Sequence, residues 1–107
     1  MFFDTIKNLE VFRFQDDKSN KIWGSFETEE HVWIVFWCAW KASASFKNHG
    51  AGYMGKWSME SARNGKTKKG YVPIKLSDVV KDWAQFETMM EERFTWFKLQ
   101  QLSMTDI

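Results

Sequence analysis

The sequence is poor in the residues that build disulfides, metal sites and membrane spans. It has one cysteine, Cys38, so no disulfide can form within the chain, and two histidines, His31 and His49. No Cys-x-x-Cys, His-x-x-x-His or Glu-x-x-His spacing occurs, which argues against a zinc site. The longest apolar run has nine residues, and a membrane helix needs roughly 20. We therefore expect a soluble, cytoplasmic protein without metal or other cofactor, in which Cys38 is a small buried side chain.

The chain also lacks the marks of a secretory signal or of catalysis. Residues 1–10 have no basic stretch followed by a long apolar one, so they do not predict a signal peptide. Gly50, Gly52 and Gly55 fit Gly-x-Gly-x-x-Gly formally, but a dinucleotide site needs this motif inside a parallel βαβ unit. A length of 107 residues fits one domain, 1–107, without a separate catalytic domain. We expect a protein that is not an enzyme.

Aromatic side chains and an uneven charge distribution are what the chain has in excess. Seven Trp and ten Phe can build a compact core and, where exposed, offer stacking surfaces. The net charge of +1 hides a basic middle, because residues 41–75 carry +7 while 1–40 and 76–107 carry −3 each. A basic segment suits a polyanionic partner. The alternative is a solvated basic face opposite the acidic ends of the same molecule.

The residue pattern predicts an α+β fold, in which a small antiparallel sheet of about four strands packs on a long C-terminal helix. Aromatic and β-branched residues predict strands over 9–15, 21–26 and 32–40. The last of these is apolar on both sides, so both of its faces need cover. We expect the C-terminal helix on one face, and the basic segment, a second subunit or a ligand on the other.

The secondary structure of the basic segment, residues 41–75, follows least clearly from its sequence. Its Ser, Ala, Gly and Asn content predicts a loop that leads into a fourth strand near 53–57. A short helix over 58–63 would then end at the Asn-Gly pair at 64–65. Because Asn-Gly is also a strong hairpin signal, a hairpin over 58–70 is the alternative. A short extended piece ends at Pro73.

The C-terminal region gives the clearest pattern. We expect Ser77 or Asp78 to cap a helix that runs to about Gln101. With both ends included, the helical region spans 77–102. Its apolar residues recur at steps of three and four, which is typical of one buried helix face. They are Val79, Trp83, Phe86, Met90, Phe94 and Phe97. Near the helix end, the candidates for contact with a second copy or a partner protein are Trp96, Phe97 and Leu99.

Three short motifs occur in an order that resembles the WGR domain. That domain is a small nucleic-acid-associated module found beside poly-ADP-ribose polymerase catalytic domains and in small bacterial and phage proteins. It has an Asn-Lys-aromatic strand, a strand ending in Trp-Gly-Arg, and a basic helix leading to Lys-x-Gly-Tyr. The resemblance covers about residues 9–74. The matching residues are Asn20, Lys21, Trp23, Trp37, Lys69, Gly70 and Tyr71.

The chain departs from the WGR pattern at three places. Cys38 and Ala39 stand where the family has the Gly and Arg of its name motif. Because the family's Trp and Arg help to grip DNA, the role of the Arg does not carry over. The segment between Trp57 and Gly70 is shorter than the family's usual helix, and the C-terminal helix is additional. We interpret the chain as a divergent WGR-like domain with an appended helix.

The basic segment and the resemblance together predict non-catalytic nucleic-acid binding, with no choice between DNA and RNA. Lysine and arginine neutralise phosphates, and neighbouring rings such as Tyr53 and Trp57 stack on unpaired bases. The candidate contacts are Lys41, Lys47, Tyr53, Lys56, Trp57, Arg63, Lys66, Lys68 and Lys69. The alternative is a protein-interaction module that acts through the C-terminal helix or as a homodimer. Such a module would fit a phage accessory protein that inhibits a defence or toxin factor in the host cytoplasm.

Overall fold

The computed structural model describes the backbone of residues 2–39 and 43–105, and the side chains of 2–39 and 43–101. Within these residues, five strands form one antiparallel sheet in the order β4-β3-β2-β1-β5. The strands are β1 (Ile6–Gln15), β2 (Asn20–Thr28), β3 (Val32–Ala39), β4 (Ser45–Ala51) and β5 (Val72–Ile74). A 3-10 turn precedes them, Phe2–Thr5, and the helices are α1 (Gly52–Lys68), α2 (Leu76–Val79) and α3 (Trp83–Thr105). The predicted α+β class with a C-terminal helix on the sheet is confirmed.

The first three strands follow the sequence pattern. β1, β2 and β3 overlap the predicted strands over 9–15, 21–26 and 32–40. The polar turn between β1 and β2 closes on Asp16, whose carboxylate accepts hydrogen bonds from the backbone N–H groups of Lys18 and Ser19 at 2.9 and 2.6 Å. This is the local bonding that makes Asp a turn former.

One face of the sheet, the α3 face, is closed by phenylalanine rings. Helix α3 and the N-terminal turn pack on it, and Phe26 and Phe36 at its centre are completely buried. Cys38 lies on this face, buried as predicted, and desolvation raises the pKa of its thiol. Nine aromatic rings of the described residues form one connected network: Phe2, Phe3, Phe26, Phe36, Phe46, Trp83, Phe86, Phe94 and Phe97.

The C-terminal helix begins later than predicted. Val80 is extended and separates α2 from α3, so the expected caps Ser77 and Asp78 lie in α2 instead. The cap of α3 is Asp82, whose carboxylate accepts a hydrogen bond from the backbone N–H of Gln85 at 3.1 Å. The predicted buried stripe is confirmed in its central part, where Phe86, Met90, Phe94 and Phe97 all join the core.

The segment between β3 and β5 differs most from prediction. The strand expected over 53–57 is wrong, and so is the alternative hairpin over 58–70. Residues 58–63 are helical as predicted, but the expected end of this helix at 64–65 is wrong. Instead β4 comes earlier, and α1 is a single helix of 17 residues. It buries Met59 against the second sheet face, and Ala62 packs beside it. Tertiary packing therefore overrides the poor helix propensity of its Asn-Gly pair.

Helix α1 starts in very close contact with β4. A Cβ atom on Gly55 would lie 1.9 Å from the carbonyl oxygen of Gly50, closer than real atoms approach. Only glycine at position 55 therefore lets the first turn of α1 meet the end of β4. The formal Gly-x-Gly-x-x-Gly motif lies at this junction of an antiparallel strand and a helix, not in a parallel βαβ unit.

Candidate nucleic-acid interface

Helix α1 crosses the second face of the sheet, the α1 face, diagonally. Its first residue Gly52 donates a backbone hydrogen bond to the carbonyl oxygen of His31 at 2.9 Å, at the start of β3. Its far end lies beside β1, where the ring of Tyr71 contacts that of Phe14 with centroids 5.4 Å apart. The side chains beneath the helix are buried: Phe12, Trp23, Trp33, Val35 and Met59. The diagonal path leaves two opposite corners of this face uncovered.

The first uncovered area, the Trp37 corner, consists of Trp37, Lys21, Ser45 and Lys47. Trp37 is 43% exposed, whereas Trp33, four residues earlier on the same face of β3, is 6% exposed. Lys21 on β2 and Lys47 on β4 are exposed and occupy the positions diagonal to Trp37 in the strand pairing. Diagonal Cβ atoms lie roughly 7–8 Å apart. An exposed indole therefore has one lysine on either side.

Further lysines gather where α1 ends beside this corner. Desolvation, followed by the charges of Lys69 and Lys21, lowers the pKa of Lys66. The Lys66 ammonium also lies over the ring of Tyr71, 5.4 Å from its centroid. Lys68 is exposed at the same helix end. Lys66 and Lys69 therefore extend the basic surface of the Trp37 corner towards the end of α1.

The Lys69-Gly70-Tyr71 motif ends helix α1. Gly70 has a φ of +103°, a backbone conformation that favours glycine. Its N–H donates to the carbonyl oxygen of Thr67 at 3.1 Å, and the N–H of Tyr71 donates to that of Lys66 at 3.2 Å. The motif that carries part of the family resemblance thus sets the position of the Tyr71 ring and of the lysine cluster.

The opposite uncovered area, the Glu27 corner, is an open pocket of about 630 Å³ over β1 and β2. The Glu27 carboxylate accepts a hydrogen bond from the Asn8 amide at 3.0 Å and lies 3.3 Å from Nδ1 of His31. Both Asn8 and His31 have positive φ, 56° and 61°. Glu27 therefore contacts both the irregular part of β1 at Asn8 and the turn before β3 at His31.

Two of the predicted phosphate contacts lie in the Glu27 corner. Arg63 donates a hydrogen bond to the Glu10 carboxylate at 2.6 Å, and its guanidinium lies 3.9 Å from that of Glu60. Lys56 lines the same pocket. Because these cations have carboxylates around them, they do not extend the basic surface of the Trp37 corner.

The two predicted stacking rings lie on the outward side of α1. Tyr53 is 92% exposed and Trp57 is 69% exposed, and neither joins a core cluster. Tyr53 also borders the Glu27 pocket. The structure therefore separates both rings from the lysines that flank Trp37.

His49 connects the Trp37 corner to helix α1. Its Nδ1 lies 2.7 Å from the hydroxyl oxygen of Ser58, a hydrogen bond between β4 and α1. Partial burial, and then the charge of Lys47, lowers the pKa of this imidazole. The charge state of His49 is therefore coupled to Lys47, the lysine on the β4 side of Trp37.

The predicted interface residues of α3 are divided between core and surface. Phe97 packs in the α3-face network, with its ring 5.8 Å from that of Phe46. Trp96 and Leu99 are about half exposed and line a shallow groove together with Glu91 and Glu92. This groove is the part of the prediction that stays available to a partner.

Of the nine predicted nucleic-acid contacts, the structure brings only some together. Those near the Trp37 corner are Lys47, Lys66 and Lys69, those at the Glu27 corner are Tyr53, Lys56 and Arg63, and Trp57 and Lys68 are exposed elsewhere on α1. Lys41 lies outside the described residues. The prediction did not include Lys21 and Trp37, which the structure places together with Lys47 in the Trp37 corner, although both belong to the motifs that carry the family resemblance. Their neighbourhood comes from strand register, which the sequence pattern did not specify.

The described residues show neither a metal site nor a membrane-spanning helix. No three His, Cys, Asp or Glu side chains among those described come together as a metal site. No helix in the described part of the chain is both long and apolar enough to cross a membrane. The chain has no significant match among family models, curated proteins or solved structures.

Proposed function

We propose that the protein is a non-catalytic nucleic-acid-binding protein that uses the Trp37 corner and the adjacent end of α1. The observation that carries this proposal is the exposed Trp37 side chain between Lys21 and Lys47. Lysines at a fixed spacing neutralise phosphates, and a ring between them gives a base a surface on which to stack. No enzymatic activity belongs to the proposal.

The WGR-like interpretation is part of the same proposal. One departure from the family pattern disappears, because α1 is a full helix of 17 residues that ends just before Gly70. Trp37, which matches the family's Trp, is exposed on the open sheet face. Ala39 still replaces the expected Arg, so Lys21 and Lys47 would supply the charge. A phage origin and a cytoplasmic location remain expectations of this interpretation.

A solvated basic face explains the lysines of the binding surface only in part. Lys66 and Lys68 lie in the last turn of α1, where cations stabilise the partial negative charge of a helix C-terminus. That explanation does not apply to Lys21 and Lys47, which lie on strands. Among the described residues, neither of these two has an ion-pair partner. A polyanionic ligand accounts for both groups of lysines.

The proposal is tested by fluorescence anisotropy with labelled single-stranded DNA, duplex DNA and RNA at two salt concentrations. We expect salt-dependent binding to at least one of them, and about tenfold weaker binding after Lys21→Gln with Lys47→Gln. The matched control is Lys56→Gln with Arg63→Gln, which removes the same charge from the Glu27 corner and should leave affinity within about twofold. Undetectable binding to all three at low salt would contradict the proposal, as would equal losses in both double variants.

A second candidate function is self-association through α3. The groove beside Trp96 and Leu99 exposes apolar side chains next to Glu91 and Glu92, and contiguous exposed apolar surface marks interaction sites. Light scattering tests this directly: a dimer that becomes monomeric on Trp96→Ala supports it. A protein that is monomeric both with and without Trp96→Ala contradicts self-association. Inhibitory contact with a host protein would then be the remaining expectation for α3.

A further inference from the structure

We infer that the Trp37 corner takes a single strand of nucleic acid, with one unpaired base over the Trp37 indole and phosphates near Lys21 and Lys47. The inference rests on the proposed function and names the class of ligand for the same site. It follows from the exposure of the ring, the spacing of the lysines and the position of the surface beside the end of α1.

The exposed ring favours an unpaired base. Trp37 is 43% exposed on a strand with neighbours on both sides, although Trp33 on the same face is covered by α1. Its direct partner on the edge strand β4 is Ser45, which is too small to cover the indole. Bases inside a duplex already stack on one another, so an aromatic platform recognises bases that are free to leave the stack.

The two lysines are spaced to hold phosphates on both sides of that base. Lys21 pairs with Ala39 and Lys47 with Val35, so Trp37 lies midway between the two levels on β3. With about 3.3 Å per residue along a strand and about 4.8 Å between strands, the Cα atoms of the two lysines lie about 16 Å apart. At about 3.4 Å per stacked nucleotide, this distance corresponds to about five nucleotides.

The positions of the two lysines set the path of the bound strand. Lys21 on β2 and Lys47 on the edge strand β4 lie on opposite sides of β3, so a line between them crosses β3 at Trp37. On one side α1 stands above the sheet, and its end presents Lys66 and Lys69. A single strand that crosses β3 diagonally meets amines along its path.

The test compares labelled oligothymidylates of two to ten nucleotides with a blunt duplex of 20 base pairs at the same salt concentration. We expect affinity to rise up to about five nucleotides and then level off, and to exceed the duplex affinity at least about tenfold. Trp37→Ala should weaken single-strand binding about 5- to 150-fold. Trp37→Phe, which keeps a ring, should retain most of the affinity. Trp57→Ala is the matched control and should change nothing.

The possible outcomes separate this inference from the proposed function. Equal affinity for duplex and single strand, with no loss on Trp37→Ala, overturns the inference and leaves nucleic-acid binding in place. Loss of affinity on Trp57→Ala but not on Trp37→Ala also overturns it, because the stacking ring would then lie on the outward side of α1. Absence of binding to both DNA ligands and to RNA contradicts the proposed function itself. Circular dichroism of each variant checks that the fold is retained.

Discussion

Helix α1 leaves two corners of one sheet face uncovered, and these corners differ in charge and in what their side chains contact. In the Glu27 corner the polar groups bond one another: Arg63 with Glu10, and Glu27 with Asn8 and His31. In the Trp37 corner an indole is exposed, and the amines beside it have like-charged neighbours. The polar side chains of the Glu27 corner therefore have their partners within the chain.

The two corners differ in how their charges are balanced. The Glu27 corner forms an open pocket of about 630 Å³, but its charges are neutralised locally, which leaves little for a charged ligand to gain. Lys21 and Lys47 have no ion-pair partner among the described residues, so an anionic ligand would offset their charge, and a base would cover the exposed part of the Trp37 indole. The proposed function therefore rests on unbalanced charge beside an exposed ring and not on cavity size.

The sharpest comparison within the α1 face is between Trp33 and Trp37, which lie on one strand four residues apart. Trp33 is buried beneath α1, so Trp33→Ala should lower the free energy of unfolding by about 3–5 kcal/mol. Trp37→Ala should cost less than about half of that, because much of its ring is already in water. Urea denaturation measures both. Equal costs would mean that Trp37 is a core residue and that its corner is covered.

The diagonal path of α1, which creates both corners, depends on Gly55. Its added Cβ in Gly55→Ala would meet the Gly50 carbonyl group, so we expect destabilisation of about 3 kcal/mol. Gly65→Ala is the matched control: it lies in the same helix with open space around it, and should stabilise by about 0.5–1 kcal/mol. Thermal unfolding compares them. If Gly55→Ala were as stable as the wild type, the first turn of α1 would not contact β4. The helix would then cover a different part of the sheet face, and the two uncovered corners would differ from those described.

Sequence reasoning succeeded where local pattern and tertiary environment agree. The strands β1 to β3 alternate or are apolar throughout, and the stripe around Met90 in α3 has the helical repeat, because each packs against a whole face. The full length of helix α1 was not predicted, because Gly52, Gly55 and Gly65 lower its intrinsic helix propensity. Its buried residues Gly55 and Met59 do have a spacing of four, but one is a glycine and gives no apolar signal.

The site was harder to predict than the fold, for a related reason. The sequence showed that residues 41–75 are basic, and it showed the Trp37 motif, but the prediction placed all contacts in the basic segment. Lys21 comes from β2, outside that segment, and reaches the corner only through strand register. Arg63 is inside the segment, but Glu10 of β1 neutralises it. Both effects join residues more than 15 positions apart, so neither composition nor local pattern contains them.

A smaller effect is expected from the ion pair of the Glu27 corner. Glu10 is about half exposed and Arg63 about a quarter exposed, and a pair of this kind contributes less than about 1 kcal/mol. A double-mutant cycle with Glu10→Gln and Arg63→Gln should therefore give a coupling energy below that value. A coupling above about 2 kcal/mol would contradict the interpretation of this corner as a solvated polar surface.

The smallest effect, and the one that links stability to binding, concerns His49. Partial burial and the charge of Lys47 hold the pKa of its imidazole below the ordinary 6.5. As the pH falls below 6.5, the unfolded chain takes up a proton that the folded chain accepts only at lower pH. The free energy of unfolding contributed by this group is therefore full above 6.5 and decreases as the pH falls through the lowered pKa. His49→Gln should remove this part of the decrease between pH 7 and 5 in thermal unfolding.

Binding should respond to His49 with the opposite sign. A phosphate near Lys47 offsets the positive charge that lowers the His49 pKa, so the bound state favours the protonated imidazole. Single-strand affinity of the wild type should therefore rise as the pH falls from 7 towards 5.5, and the rise should be smaller in His49→Gln. Thermal unfolding and anisotropy on the same two proteins measure both trends. An affinity that changes equally with pH in both proteins would show that the phosphates lie away from Lys47, on the other side of Trp37 or elsewhere on the chain.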